Sequence, residues 1–553
     1  MPRTALVLFL FAALGCPRRV PEGAKMTDAA VYVAKSVRTL DRSRPLAQAL
    51  AVRGGKVVAV GTREEALAAA GPDAELVELD GFLVPGLADA HVHLASLGRS
   101  LSTVSFVGTR SPEEVVERAR QAGPDSHQGD WLVGRGWDQN DWPEGKRVFP
   151  GRALLDAAFP NTPVMLSRVD GHAVWVNGAA LSLAGVTAKT PDPAGGRIVR
   201  DAAGEPTGVL VDNAIALVDA LVSPPTEQQF QRRLKAAIER CLAEGLTQVH
   251  DAGMDLRTFS LLQQWDAIGA LPLRVYAMAD GQGPDAQLFL ERGLFQGQKL
   301  TMRAVKFLAD GALGSRGAAL EAPYSDDPTQ SGLLLLSADD LELRARAFDE
   351  AGFQVAVHAI GDRANRIAID VLSRLEARHP GSRPRVEHAQ LLGLEELNKL
   401  ATGRLVVSMQ PTHATSDMGW VEARVGPRRL LGAYAWKSVL QVGAPLAFGS
   451  DFPVEDPSPL LGLYAARTRQ DADGKPAQGW RPGERVTGEE ALRAFTTGAA
   501  YAAFAEDARG RLSPGMDADF TVLSVDPVEA PAKELLTAKV LLTVVGGRPV
   551  YQR

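Results

Sequence analysis

Short apolar runs alternate with amphipathic stretches along most of this 553-residue chain, and that alternation sets the first expectation. Eight runs read as buried parallel strands: 86–92, 246–251, 272–279, 303–309, 353–358, 385–388, 405–410 and 445–450. Helical periodicity falls between them, for example over 338–350, 361–378 and 421–441. Thr226-Glu227-Gln228-Gln229 supplies a capping box in front of a further amphipathic run, 229–244. This alternation predicts an α/β fold, a TIM-like (β/α)8 barrel, with function on the face where the strands end.

The two ends of the chain differ from the middle. "AVYVAKSVRTL", "ALAVRGGKVVAVG" and "ELVELDGFLVPG" near the start, and "GRLSPGMDADFTVLS" and "LLTVVGGRPVYQ" near the end, are β-rich and carry glycine turns. Residues 95–225 are too long to be a plain connection between the first two strands, and they read as an insertion over the barrel mouth. The expected organisation is therefore β-rich flanks at 26–84 and 509–553 around a barrel at 85–508. Residues 1–25 read as a leader and linker, with a basic start and an unbroken apolar run from Ala5 to Leu14. That run is too short to span a bilayer. Gly15-Cys16 follows it and resembles a lipoprotein box, although Ala13 stands where leucine is usual. Export to the periplasm or to a membrane-anchored position through a lipid on Cys16 is the expectation. An ordinary cleaved signal, or a true start at Met26, is the alternative.

Composition narrows the classes. Hydrophobic residues make up 45% and charged residues 23%, ordinary for a globular protein of more than one domain. The net charge of -6 has no long run of one sign, which argues against a nucleic-acid partner. Only two cysteines occur, so Cys241 has no disulfide partner once Cys16 is committed elsewhere. No Gly-x-Ser-x-Gly elbow or phosphate-cradling loop stands out.

The chemistry concentrates at strand ends. Six of the nine histidines, His91, His93, His172, His250, His358 and His388, sit near them. His91 and His93 are two apart, so on a strand they point to one side and can grip one cation. Imidazole and carboxylate groups gathered in this way suit zinc and related divalent ions. Lys306 lies inside an apolar strand, "AVKFLA", where a bare ammonium is costly unless paired, for instance with Asp310. Asp451 follows Gly449-Ser450, small residues that let the chain turn; a helix cap is its bland reading.

The ordered run His-x-His, Lys, His, His, Asp, with "VPGLADAHVHL", "VKFLADGALGSR", "VAVHAIGDRA", "RVEHAQ" and "LAFGSDFPVEDPSPLLGLYAA", closely resembles the amidohydrolase superfamily. The likeness is to its YtcJ-like (amidohydrolase-3) branch and extends from about residue 28 to the end. "GMDADF" at 515–520 departs from the branch's usual Gly-Lys-x-Ala-Asp. The resemblance implies that the β-rich ends join into a small β-sandwich. It also implies one or two divalent metal ions, zinc foremost, held by His91, His93, His358, His388, Asp451 and a carboxylated Lys306. Asp451 and His388 would be catalytic, with Asp451 passing a proton from metal-activated water to the leaving group.

Around that set, His172 is expected to polarise the substrate carbonyl, a structural hydrogen bond being the alternative. Trp137, Asp138, Arg168 and Asp170 are expected to contact a small-molecule substrate. His250 and Asp251 are expected behind the ligands, and His413 near the mouth. The implied reaction is hydrolysis of a non-peptide carbon–nitrogen bond in an amide, formamide, carbamate or cyclic amide. A deaminase, an ester or lactone hydrolase, or a non-catalytic ligand-binding lipoprotein are the alternatives, and a homodimer is compatible with each.

Overall fold

The computed structural model of the chain describes residues 29–553, so Cys16 and the leader lie outside the described residues. All eight expected barrel strands form: β1 (Leu87–Val92), β2 (Leu246–Met254), β3 (Arg274–Asp280), β4 (Leu300–Leu308), β5 (Gln354–Ala359), β6 (Arg385–His388), β7 (Val406–Met409) and β8 (Leu446–Phe448). Each runs parallel to its neighbour in sequential order from β1 to β8. Strands covered on both faces need near-continuous apolar runs, and β1, β5, β6, β7 and β8 are buried throughout.

The barrel closes between β8 and β1 just beyond the end of β8, without a regular ladder. Asp451 N donates to His91 O at 2.8 Å and His93 N to Phe452 O at 3.0 Å. The buried Asp89 carboxylate completes the seam by accepting from Ser450 N at 3.0 Å and Ser450 Oγ at 2.6 Å. Gly449 is required there: a Cβ would stand 2.5 Å from Asp89 Oδ1 and 2.7 Å from His91 N.

Two expected helices form almost as read, Ala338–Glu350 and Asp362–Arg378, and Thr226 caps Glu227–Ala243 through a reciprocal box with Gln229. The single helix expected over 421–441 does not form. It breaks into Val421–Arg429, a short turn at Leu430–Gly432, and Trp436–Gln441. Gly426 adopts φ 73° and Pro427 follows, which interrupts the helical hydrogen bonding.

The two chain ends do meet. Ala29–Arg38, Leu46–Arg53, Lys56–Gly61 and Glu75–Pro85 pair with Phe520–Leu523, Val540–Val545 and Arg548–Gln552 in one seven-stranded path. The strands are hydrogen-bonded along one continuous path. Tyr32 and Phe520 from opposite ends of the chain meet edge-on at 4.8 Å in its core. "GMDADF" contributes directly to docking: Asp519 takes a two-pronged ion pair from Arg274 at the base of β3, at 2.6 and 3.1 Å.

Between β1 and β2 the chain builds a third sheet, ordered Gly196–Arg200, Pro206–Asp212, Ala173–Val176, Val164–Arg168, Trp131–Trp137 and Val104–Ser105. It packs apolar side chains on both faces, among them Trp137 and Trp175 on one and Trp131 and Val174 on the other.

Because the β8–β1 seam leaves no room at Gly449, Gly449→Ala is expected to cost about 1–3 kcal/mol through overpacking. Urea unfolding followed by circular dichroism checks this, and an unchanged midpoint would show that the seam yields.

Candidate metal centre

The barrel places five of its strand ends around one point. His91 is fully buried at the end of β1, and its Nδ1 contacts Glu387 Oε2 at 2.6 Å. An imidazole nitrogen facing a carboxylate carries the proton, so His91 presents the lone pair of Nε2 to the site. His388 ends β6 with Nδ1 2.8 Å from Gln410 Oε1, which likewise frees its Nε2. One ligand atom each of His91, His388 and Asp451 lie within 4.8 Å of one another. His93 Nε2 stands 3.2 Å from Asp451 Oδ1, and Lys306 Nζ stands 3.5 Å from His91 Nε2. The His358 ring lies 4.6 Å from that of His388, with its Nε2 3.3 Å from Gly311 O. Donation there leaves Nδ1 of His358 as its lone-pair nitrogen.

Two of these residues sit at backbone conformations that non-glycine residues rarely adopt. His388 has φ 70° and Asp451 φ 61°. Such strain costs about 1–3 kcal/mol per residue and persists where surrounding contacts impose it. Here the imposing contacts are the Gln410 hydrogen bond and the β8–β1 seam.

Electrostatics match a cation site. Burial would raise the Asp451 carboxyl, but the neighbouring His93, His91 and His388 imidazoles hold it well below the usual range. Burial and the Lys306 charge push His91 down to about 4, and burial first of all pushes His358 and His388 well below the usual value. Burial lowers the Lys306 amine too. The site thus sets an ionised carboxylate beside the imidazoles of His91, His358 and His388, whose neutral form burial favours. Asp451 Oδ1 is buried and forms no well-directed hydrogen bond, although His93 lies beside it. Lone pairs facing one another in this way fit ligands of a shared divalent cation.

The substrate-side expectations divide. Asp138, Arg168, Asp170 and His172 line a cavity of about 950 Å³ that also reaches the six ligand-type residues. Arg168 is buried and held by Asp138, Asp170 and Gln139, the last at 2.9 Å. His172 Nδ1 meets Asp212 Oδ1 at 2.7 Å; burial opposes its charge, but the Asp212 contact prevails and raises it to about 9. Trp137 is a correction. It does not line the cavity but lies fully buried in the insertion core, its Nε1 donating to Leu166 O at 2.8 Å. A register shift between Arg135 and Trp137, where Gly136 has φ 107°, turns the Trp137 ring away from the mouth.

Sequence reasoning missed Glu387. It lies in the quoted "RVEH", beside His388, yet its carboxylate serves His91 across the barrel. Arg385, two residues back and on the same strand face, donates Nε to Glu387 Oε1 at 2.7 Å and Nη2 to Ala90 O at 2.8 Å. His250 acts one step further out: its Nδ1 lies 3.1 Å from Arg385 Nη1. Asp251 accepts from the Leu94 backbone, and burial raises it to about 8. His413 does face the cavity, its ring stacked on His388 at 5.9 Å and its Nε2 3.6 Å from Asp451 Oδ2.

Comparison with known proteins agrees with this geometry. The amidohydrolase family model matches residues 76–551. YtcJ of Bacillus subtilis (strain 168) is 34% identical over 518 residues, covering 92% of this chain and 96% of its own. An N-substituted formamide deformylase of Arthrobacter pascens is 30% identical, covering 94% and 97%. Among solved structures, an uncharacterized metal-dependent hydrolase of Pyrococcus horikoshii superposes with a TM-score of 0.73 at 28% identity, covering 91% of this chain and 99% of its own. With a matching family model and relatives aligned over nearly their whole lengths, the chain belongs to the amidohydrolase family of metal-dependent hydrolases.

Proposed function

We propose that this protein hydrolyses a non-peptide carbon–nitrogen bond in a small amide, formamide, carbamate or cyclic amide. The observation that carries the reading is Asp451, an ionised, buried carboxylate clustered with the free nitrogens of His91 and His388. The formamide deformylase among the relatives supports a carbon–nitrogen bond over an ester.

His91, His93, His358, His388 and Asp451 would hold one or two divalent cations, zinc suiting this nitrogen and oxygen set best. A divalent cation there supplies Lewis acidity, lowering the pKa of water and polarising a carbonyl. Lys306, its amine favoured in the neutral form by burial, would take up CO2 and offer an anionic oxygen to the same centre. Asp451 accepts the proton of the attacking water and delivers it to the departing nitrogen. His172, kept cationic by Asp212, directs its remaining N–H into the cavity toward the substrate carbonyl oxygen. Arg168, locked by its two carboxylates, holds Asp138 and Asp170 in place along the wall. The leader sequence supports an exported enzyme anchored through Cys16.

The test is an assay panel of formamides, acetamides, esters and aminated heterocycles, with metal content measured on the same preparation. Chelation is expected to abolish amide turnover and a divalent ion to restore it. Asp451→Asn is expected to lower kcat by about 10²–10⁴-fold while the protein keeps metal. Full turnover in metal-depleted protein would defeat the reading.

Glu387 makes a separate prediction. Because it fixes the His91 tautomer, Glu387→Gln is expected to weaken metal affinity by about 10–100-fold. Competition against a chromophoric chelator reads this directly. Unchanged affinity would reduce Glu387 to a counter-ion for Arg385.

A further inference from the structure

Most acidic side chains facing the cavity already have a partner. Asp138 and Asp170 share Arg168, Asp212 holds His172, and Asp280 accepts from the backbones of Gln282 and Gly283. Two others differ. Asp417 is met by the Tyr434 hydroxyl and by Gln390 Nε2 at 3.1 Å, and Glu455 by the Ser416 hydroxyl. These are neutral donors, as they are for Asp280, and neither carboxyl forms an ion pair with a cation among the described residues, although the Arg168 charge acts on Asp417. Both line the same cavity, on the wall made by the helix after β7 (Pro411–Asp417) and the loop after β8.

A second observation points the same way. Thr412 is only 8% exposed, lines the cavity, and its Oγ1 has no hydrogen-bond partner. It lies one helical turn before Ser416, so its hydroxyl and the Ser416–Glu455 pair share a helix face. A buried, unsatisfied hydroxyl lining the same cavity as two carboxyls without an ion pair is costly unless a ligand donates to all three. A ligand with several N–H donors does so, and only one that also carries positive charge offsets the two carboxylates as well.

We propose that Asp417, Glu455 and Thr412 form a subsite for an organic cation, so that the substrate is an amide bearing an ammonium or guanidinium tail. This rests on the hydrolase reading for the reacting end and adds what the other end must be. Burial and the nearby Asp417 charge raise Glu455 to about 8, and burial with the charges of Asp138 and Asp170 among its causes raises Asp417 to about 7. A cation in the subsite would return both to the ionised form. The cavity of about 950 Å³ has room for such a tail beyond the amide itself.

Calorimetry on the metal-loaded protein with two non-hydrolysable probes tests this: N-(5-aminopentyl)methanesulfonamide and N-pentylmethanesulfonamide. The amine-bearing probe is expected to bind at least about tenfold tighter, one carboxylate contact being worth that much when desolvated. Glu455→Gln, and independently Asp417→Asn, are expected to shrink the advantage to within about twofold of parity, the thermal midpoint reporting that each variant is folded. Equal binding of the two probes, or an advantage that survives both substitutions, overturns the subsite. Hydrolysis of the matching acetamides is read separately. An amine preference without turnover of these acetamides, or of the matching formamides, carbamates and lactams, supports the subsite while refuting the hydrolase reading.

Discussion

The contact between Glu387 and His91, held from behind by Arg385, is the constraint on which the centre depends. All three side chains are fully buried. A guanidinium and a carboxylate removed from water lose several kcal/mol of hydration each, which only close, well-directed contacts offset. Those contacts are present: Arg385 spans the barrel interior from β6 to the Ala90 carbonyl on β1, and Glu387 reaches His91 on that same strand. The consequence is chemical as well as mechanical. With the Arg385 charge beside it and the neutral His91 donating from Nδ1, Glu387 stays ionised despite burial, fixing the proton on His91 Nδ1 and the lone pair on Nε2.

Much of the architecture was legible because the barrel strands are short, apolar and bounded, a pattern that period counting detects well. The failures have definite causes. Over 421–441 the apolar spacing runs on through Gly426-Pro427, and the pair that breaks the helix was outweighed by periodicity around it. Trp137 reads as a mouth residue if its strand alternates regularly, but the shift at Gly136 reverses the parity: Leu132 and Trp137 end in the same core. His91 and His93 were visible because their spacing alone places them together. Glu387 was not, since strand periodicity gives the face a residue occupies but not its partner across a barrel. A charged pair at i and i+2 on a buried strand, Arg385 and Glu387, was the available signal.

The two faces of the barrel divide the work. At the strand N-termini the terminal sheet is fastened by Arg274 to Asp519, Thr521 Oγ1 to Gly245 O at 2.7 Å and Thr543 Oγ1 to Leu242 O at 2.9 Å. At the C-terminal face the same strands end in unsatisfied or strained groups, as expected where catalysis rather than stability governs. The two regions are connected through the interior. Arg509, which pairs with Asp517 of "GMDADF", donates to Gln248, and Gln248 meets His250, the residue next to Arg385. The C-terminal segment therefore touches, through four side chains, the group that orients His91.

That connection explains why the departure in "GMDADF" need not disturb the chemistry. Asp519 and Asp517 keep the acidic groups that Arg274 and Arg509 require, so the base of the barrel remains neutralised whatever precedes them. Variation among related chains is then better tolerated where a carboxylate merely balances charge than where it sets a tautomer. Asp517, partly exposed and shared by three cations including Lys56, is of the first kind. Glu387, fully buried against one imidazole and one guanidinium, is of the second.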